Sequence, residues 1–356
     1  MKPDGSILAK AFPMGGETIA AGARGVVPLH VTTALNGAPV RISAHVVHGR
    51  QPGPVVTLLS TVHGAEWFSV EPIRRVLQEA DPETLRGTIV AVPVANPPAL
   101  RQQMRNMPDG SDSPDLNRIF PGPLTWTSDQ LAATLAEHVF APATHLLDFH
   151  MGPWGSAFRD ILVGDDFPDP AVTEESERLA LAFGSPIIRR ANLVTGFPGP
   201  KSSMGYAGGV LGIPTMGVEV GGVGFGPRIE DAWITATVDG IHAVLGALDM
   251  IDDAPDPRPA RQLVYGRSHR VNPSVGGLLR SHFGGDDLGR AVEKGELLGE
   301  VHSPYTFELL EELRAPADGL LFYTARNYPV DPGDWAFGVA DTDGAEWIDN
   351  KDVMVR

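Results

Sequence analysis

The chain has 356 residues, a formal charge of −16 and no cysteine. The lack of cysteine excludes disulfides, iron–sulfur clusters and thiolate zinc sites, and leaves histidine, aspartate and glutamate as the strong metal ligands. The negative charge would repel phosphate backbones and anionic lipid surfaces, so we expect neither a nucleic-acid nor a membrane partner. No stretch approaches the roughly 20 apolar residues of a membrane span, and residues 1–16 lack the apolar core of a signal peptide, which predicts a cytoplasmic protein.

Apolar periodicity predicts strands and helices in alternation, after a leading β-hairpin whose turn lies at Asn36-Gly37. The hairpin is predicted at 26–48, and further strands at 55–62, 88–94, 145–149 and 215–220. Helices are predicted over the segment containing 70–77, at 128–140, at 173–183 and from about 230 to 251. Such alternation is typical of an α/β sheet flanked by helices.

The segment DDAPDPRPA at 252–260 combines spaced prolines with acidic residues, as stiff exposed linkers do. We therefore place a boundary near Pro257, with an α/β catalytic unit over residues 1–257 and a small all-β unit over 258–356. Short β-type segments alternate with turns in the second unit, and no long helix is predicted there. Their spacing resembles the barrel-sandwich fold of lipoyl and biotinyl carrier domains, although the lysine that carries a cofactor there is not recognisable.

Two candidate metal ligands, His63 and Glu66, lie three residues apart where a buried strand meets a helix. Both side chains can point toward one spot at the carboxyl end of the strand, where open α/β sheets bind ligands. The motif alone is weak, and a solvated helix start is the plain alternative.

A third candidate ligand, His150, ends the apolar strand of LLDFHMG, with Asp148 as a supporting partner. A lone strand-end histidine is more often a core residue that is hydrogen-bonded to the backbone. Two imidazoles and a carboxylate, however, leave a fourth tetrahedral position for water, which is the ligand set of catalytic zinc.

Glu219 lies within the apolar strand of PTMGVEVGG, where a carboxylate is costly unless it has a partner or a function. An ion pair with a nearby arginine is the structural alternative. Arg105, and the adjacent Asn117 and Arg118 in DLNRIFPG, supply groups suited to a substrate carboxylate, although arginines in loops are common.

The ordered set H-x-x-E, Arg, D-L-N-R-I-F-P-G, D-F-H and V-E-V-G-G resembles the succinylglutamate desuccinylase and aspartoacylase family of zinc amidohydrolases. The match spans about His63 to Gly222. It implies a zinc carboxypeptidase-like mixed sheet flanked by helices, followed by a small C-terminal β domain.

The resemblance also implies a role for each matching residue. It makes His63, Glu66 and His150 the ligands of one zinc ion per chain, and Glu219 the general base. It makes Arg105 the group that polarises the carbonyl, while Asn117 and Arg118 grip a substrate carboxylate. The family's other substrate-binding arginine and tyrosine have no clear counterpart here. Tyr206, Lys201 and Arg159 are candidates for the pocket, with surface or packing roles as the alternative.

The predicted activity is zinc-dependent hydrolysis of an N-acyl amino acid or a similar small amide that bears a carboxylate. Zinc would activate a water whose proton Glu219 accepts. A metallocarboxypeptidase that acts on short peptides is the nearest alternative, and a non-enzymatic carrier or binding protein is a more distant one. We expect a homo-oligomer, in which the C-terminal unit caps the cleft or builds the subunit interface.

Overall fold

A computed structural model describes residues 8–108, 114–153, 155–326 and 328–350. Its α-helices are α1 (Val70–Glu79), α2 (Pro97–Gln102), α3 (Thr127–Leu135), α4 (Pro170–Phe183), α5 (Ser203–Gly209) and α6 (Pro227–Ala247). A π-helical turn, Ala136–Phe140, follows α3 directly, and 3-10 turns cover Leu116–Arg118 and Gly285–Asp287.

The strands fall into an early and a late group. The early strands are β1 (Phe12–Met14), β2 (Glu17–Ile19), β3 (Ala23–Thr33), β4 (Pro39–His48), β5 (Gln51–Ser60), β6 (Arg86–Val92), β7 (His145–His150), β8 (Ser156–Gly164), β9 (Ile187–Ala191) and β10 (Thr215–Gly221). The late strands are β11 (Arg261–Tyr265), β12 (Ser268–Val271), β13 (Gly277–Ser281), β14 (Ala291–Val292), β15 (Leu297–His302), β16 (Leu309–Arg314), β17 (Gly319–Ala325), β18 (Tyr328–Val330), β19 (Phe337–Asp341) and β20 (Glu346–Asp349).

Within the described residues, fourteen strands form one mixed sheet, whose main path runs β12-β19-β17-β8-β10-β7-β5-β6-β4-β3. Strands β10, β7, β5 and β6 are parallel neighbours at its centre. Strand β8 is antiparallel to β10, and β4 is antiparallel to β6. The carboxyl ends of the parallel strands therefore meet at one edge, which is where α/β sheets bind ligands.

Helices cover both faces of the central strands. In β5, Leu58 packs into the core that contains the buried residues of α1, α4 and α6, while Leu59 packs into the core that contains those of α3. In β7, Leu147 and Leu146 divide in the same way. Successive side chains of a strand point to opposite faces, so continuous apolar runs are what a sheet covered on both sides requires.

The predicted hairpin is confirmed as antiparallel β3 and β4, and the four further predicted strands are confirmed as β5, β6, β7 and β10. The last predicted helix is confirmed, but it begins at Pro227 and ends at Ala247. Proline suits the first turn of a helix. Asp249 adopts a φ of +54°, a left-handed conformation that a continuing helix does not contain. Strands β8 and β9 and helix α5 had not been predicted.

The C-terminal part is built of strands, as predicted, and it includes a small antiparallel sheet of order β16-β15-β13-β18. Other late strands join the main sheet, since β11 pairs with β9 and β17 pairs with β8. The boundary near Pro257 stays a prediction, and the main sheet has strands from both sides of it.

The fold is thus a large mixed α/β sheet flanked by helices, together with a small C-terminal antiparallel sheet. Over the described ranges, no helix is both long enough and apolar enough to cross a membrane.

Candidate metal centre and active site

Three neighbouring strands bring the candidate ligands and the candidate base to the same end of the sheet. His63 and Glu66 follow β5, His150 is the last residue of β7, and Glu219 lies near the end of β10. Strands β10 and β7 pair in parallel, in a register that places Glu219 opposite His150. The parallel order of the strands, rather than closeness in sequence, therefore assembles the site.

His63, Glu66 and His150 form a buried cluster, which we call the metal centre. Their ligand atoms lie within 4.8 Å of one another. Nδ1 of His63 lies 2.9 Å from Oε1 of Glu66, and Nδ1 of His150 lies 2.7 Å from Oε2 of the same carboxylate. Both imidazoles thus present the same ring nitrogen to one carboxylate, and the three residues can hold a metal ion.

A second carboxylate orients each imidazole from its other side. Nε2 of His63 lies 3.0 Å from Oδ1 of Asp115, and Nε2 of His150 lies 3.1 Å from Oδ2 of Asp148. A proton on each Nε2 can be donated to these oxygens, which directs each Nδ1 lone pair toward Glu66. Metal-binding histidines are characteristically held in this way by a carboxylate.

One buried nitrogen tests whether the residues suit a cation. Nδ1 of His63 has no hydrogen-bond partner among the described residues, although it is close to Oε1 of Glu66. A buried nitrogen without a partner is costly. A divalent cation between this lone pair and the Glu66 carboxylate would provide the partner, so the donor set fits zinc.

The charges of the metal centre stabilise one another. Burial alone would lower the pKa of His63, but Glu66 and Asp115 outweigh it and raise that pKa. Burial would also lower the pKa of His150, but the Asp148 and Glu66 carboxylates outweigh it and raise that pKa well above its usual value. The pKa of Glu66 would rise on burial, but the two imidazoles hold it well below its usual range. In metal-free protein, protons therefore occupy sites that a metal would take.

Glu219 lies in a different electrostatic environment from Glu66. Burial raises the pKa of Glu219 to about 7; His150 and Arg189 oppose this shift, and Asp160 adds to it. The nearby arginine is not its ion-pair partner, because Nε of Arg189 lies 3.0 Å from Oδ2 of Asp160. A carboxyl group with such a pKa can both accept and release a proton at neutral pH.

Beside Glu219 lie the buried Asp160 and Tyr265 together with the partly buried Arg189. Asp160 lies opposite Glu219 in the antiparallel register of β8 and β10. The Tyr265 hydroxyl donates to Oδ2 of Asp160 at 3.4 Å. Tyr265 belongs to β11, so a strand from beyond Pro257 contributes to the surroundings of the candidate base.

The metal centre, Glu219 and Arg118 line one cavity of about 790 Å³, a size typical of small-molecule sites. Residues from beyond Pro257 line the same cavity, and we call them the C-terminal wall: Arg270, Tyr323, Tyr328, Asp334 and Trp335. The rings of Tyr323 and Trp335 stack with centroids 4.5 Å apart, and the Arg270 guanidinium lies 4.4 Å from the Trp335 centroid.

Arg105 bridges two carboxylates beside the metal centre. Its Nη1 donates to Oε1 of Glu66 at 3.1 Å, and its Nη2 donates to Oδ2 of Asp115 at 3.0 Å. The side chain is 51% exposed, so it is also accessible from the cavity that it lines. Its role as the carbonyl-polarising group stays a prediction.

Asn117 and Arg118 lie in a 3-10 turn that Asp115 caps by accepting a hydrogen bond from the Asn117 N–H. Oδ1 of Asn117 accepts a hydrogen bond from the N–H of Ser203 at 2.7 Å and lies 2.9 Å from the Ser203 hydroxyl oxygen, so this oxygen is already used. Arg118 lies over the Phe197 ring, 4.5 Å from its centroid, and its Nη1 donates to the Asn117 carbonyl. Of this pair, Arg118 is therefore better placed to bind a ligand in the cavity.

The other three pocket candidates lie elsewhere. Tyr206 packs against Phe120 and Phe140, with ring centroids 6.4 and 6.5 Å apart. The described residues that line the cavity do not include Tyr206, Lys201 or Arg159. Arg159 lines a second cavity instead. We therefore leave all three out of the proposed mechanism.

The structure adds residues that sequence reasoning did not single out. Asp115 stands first in the DLNR motif, which could have indicated it as a partner of a ligand histidine. Ser203 donates its hydroxyl proton to Asp148 and its backbone N–H to Asn117, and thereby connects helix α5 to the metal centre. Neither Ser203 nor the C-terminal wall belongs to a recognisable motif.

Comparison with known proteins agrees with this geometry. A model of the succinylglutamate desuccinylase/aspartoacylase catalytic domain matches residues 52–248, more than half of the chain. The N-alpha-acetyl-L-2,4-diaminobutyric acid deacetylase of Halomonas elongata is 26% identical over 138 residues, which are 38% of this chain and 40% of that protein. The chain thus matches less than half of that relative's length.

Solved structures share the fold. A succinylglutamate desuccinylase/aspartoacylase from Rhodobacter sphaeroides is 24% identical, with a TM-score of 0.75 over 89% of this chain and 95% of its own. The product-bound ectoine utilization protein EutE (DoeB) from Ruegeria pomeroyi is 23% identical, with a TM-score of 0.76 over 90% of this chain and 95% of that protein's chain. The family model, the shared fold and the His-Glu-His cluster all agree. The chain therefore belongs to the succinylglutamate desuccinylase/aspartoacylase family of hydrolases.

Proposed function

We propose that the protein is a zinc-dependent amidohydrolase that removes the acyl group from an N-acyl amino acid or a similar small amide bearing a carboxylate. One observation carries the proposal: a His-Glu-His cluster, a glutamate whose pKa is raised to about 7, and a cavity-lining arginine all face the same cavity. The deacetylase from Halomonas elongata, named for an N-acetylated amino acid, supports the substrate class.

His63, Glu66 and His150 would hold one zinc ion per chain. When bound there, zinc supplies Lewis-acid chemistry, lowering the pKa of a water molecule and polarising the amide carbonyl. Asp115 and Asp148 would keep each imidazole in the tautomer whose Nδ1 lone pair faces Glu66, and so leave both side chains free to serve as ligands.

Glu219 would transfer the proton. Its carboxylate accepts a proton from the attacking water as the water oxygen bonds to the carbonyl carbon. The same proton then passes to the amide nitrogen as the C–N bond breaks, so the products are a carboxylic acid and a free amine. The raised pKa of Glu219 suits both steps at neutral pH.

Two arginines would stabilise the negative charges of the oxyanion and of the substrate carboxylate. Arg105 lies next to Glu66 and can stabilise the oxyanion that develops on the carbonyl oxygen. Arg118, fixed over Phe197, can bind the substrate carboxylate with the N–H groups that its bond to Asn117 does not use. The C-terminal wall lines the same cavity, which favours a small substrate over a long peptide.

The test is release of primary amine from a panel of N-acyl amino acids and dipeptides, by protein loaded with zinc at neutral pH. Metal analysis of the same sample should give about one zinc per chain. We expect turnover of acyl amino acids, and selective turnover of one of them would identify the acyl group. Broad cleavage of dipeptides would instead indicate a metallocarboxypeptidase, and no turnover by fully loaded protein would contradict the substrate class.

The homo-oligomer and the capping role of the C-terminal unit remain proposals. Light scattering of the purified chain would determine the subunit number. A monomer at all concentrations tested would contradict the homo-oligomer. Capping of the cleft would then be the remaining proposed role of the C-terminal unit.

A further inference from the structure

A second cavity, of about 400 Å³, lies on the other side of the main sheet from the metal centre. Strands β8 and β10 contribute to both cavities. Phe158 and Glu219 line the first, whereas their immediate neighbours Arg159 and Val220 line the second. Because successive side chains of a strand point to opposite faces, the sheet itself separates the two cavities.

The walls of this second cavity are mainly apolar. Phe183 comes from the end of α4, and Ile229 and Trp233 come from α6. Pro257 and Gly285, from later parts of the chain, also line it. An apolar cavity of this size with a few polar groups is the usual form of a small-molecule site.

Arg159, on strand β8, is a charged residue that lines the second cavity. Its Nη1 donates to the carbonyl of Leu288 at 3.1 Å, and among the described residues no carboxylate forms an ion pair with it. Burial lowers its pKa, and no acidic neighbour offsets that effect. A partly buried guanidinium without a counter-charge is costly, and a bound anion would remove that cost.

Other partly buried arginines of this sheet do have acidic partners. Nε of Arg189 lies 3.0 Å from Asp160, and Nη2 of Arg190 lies 2.6 Å from Glu177. Arg159 therefore differs from these two arginines of the same sheet, because it has no acidic partner among the described residues and because it lines a cavity.

A second arginine, Arg228, lines the same cavity from the start of α6 and is exposed to solvent. Asp286 also lines the cavity, but it is exposed to solvent, and among the described residues no carboxylate acts on Arg159. Two guanidinium groups beside an apolar wall match a ligand with one anionic end and one apolar end.

We propose that the second cavity is a binding site for a small carboxylate, whose charged end is held by Arg159 and Arg228 and whose apolar part packs against Phe183 and Trp233. The site is independent of the catalytic proposal, since it shares no lining residue with the first cavity.

The probe is phenylacetate, titrated into the full chain by calorimetry, with neutral phenylacetamide as the matched ligand. We expect phenylacetate to bind with a Kd of about 1 mM or tighter, and the amide to bind at least about tenfold more weakly, because it lacks the charge that the arginines bind. Arg159→Gln should weaken phenylacetate binding by roughly tenfold or more. Arg280→Gln, at an exposed arginine of β13 that lines neither cavity, should leave it unchanged, which would show that the loss is specific to the second cavity.

A second pair of variants tests the cavity without changing an arginine. Ala236 and Thr235 are adjacent exposed residues of α6, and of the two only Ala236 lines the cavity. Ala236→Leu should fill the space and abolish binding, whereas Thr235→Leu should not affect it. Equal binding of acid and amide, binding that survives both Arg159→Gln and Ala236→Leu, loss of binding in Arg280→Gln, or no detectable binding would each overturn the proposal.

Discussion

The metal centre and the C-terminal wall face the same cavity but are built in different ways. In the metal centre, carboxylates pair with imidazole and guanidinium nitrogens at short distance, as with the 2.7 Å separation of His150 and Glu66. In the wall, aromatic rings and a cation are stacked, as with Arg270 at 4.4 Å from the Trp335 centroid. The metal centre is buried, whereas Arg270 is exposed to solvent.

This difference suggests a division of labour. Buried, mutually oriented charges fix geometry and pKa, so changes there should reduce the rate or the metal affinity by large factors. Exposed groups at the wall are screened by water and salt, so changes there should alter substrate preference by small factors. A small effect in the metal centre, or a large one at the wall, would contradict this division.

The largest effect is expected from Glu219→Gln, which keeps the shape of the side chain but cannot accept a proton. The turnover number should fall by about 10³-fold or more, near the range for loss of general acid–base catalysis, while the zinc content stays at the wild-type level. Glu137→Gln, at a side chain that is 76% exposed, is the matched control and should behave like wild type. Near-normal turnover of Glu219→Gln would remove Glu219 from the mechanism.

Asp148→Asn should have the next largest effect, and on metal affinity rather than on proton transfer. Asp148 is fully buried, and its Oδ2 lies 3.1 Å from Nε2 of His150. Loss of such an orienting carboxylate typically weakens metal binding by about 10- to 100-fold. Competition with a chelator would measure the change, and Asp253→Asn in the exposed linker would be the control. Unchanged zinc affinity would mean that Asp148 does not orient the ligand.

The pH profile should show a smaller, graded effect. Glu219 must be ionised to accept a proton, so kcat/KM should fall as the pH drops below its pKa, by about tenfold per pH unit. Burial raises this pKa to about 7 in the metal-free chain, and a bound dication would lower it by stabilising the carboxylate. The acidic limb should therefore lie below pH 7. The same limb in the residual activity of Glu219→Gln would assign it to another group.

Much of the fold was predictable because its central strands are covered on both faces. Mainly apolar runs such as Val55 to Val62 then stand out, and the intervening helices follow from their periodicity. Strands β8 and β9 were missed because their charged residues, such as Asp160, Arg189 and Arg190, break the apolar pattern. Each of these charges has an ion-pair partner that is distant in sequence, and such a partner is not visible before the chain folds.

The candidate site was likewise predictable from the sequence only in part. His63, Glu66, His150 and Glu219 could be selected from the sequence because each lies near the end of a predicted strand. The C-terminal wall could not be selected, because its residues face the cavity only after β12, β17 and β19 join the main sheet. A linker such as that around Pro257 gives no sign of whether the strands after it pair with each other or with the preceding sheet.

The smallest effect is expected from Arg270→Gln in the C-terminal wall. Arg270 adds a positive charge to the cavity without contacting the metal centre, so it should attract acyl groups that carry their own carboxylate. We expect KM to rise by roughly two- to fivefold for such substrates, with little change for acetyl substrates and none in zinc content. Arg267→Gln is the control, because Arg267 is 61% exposed and pairs with Asp341. A fall in kcat that is equal for all substrates would instead place Arg270 with the catalytic groups, and would erase the distinction between the two regions.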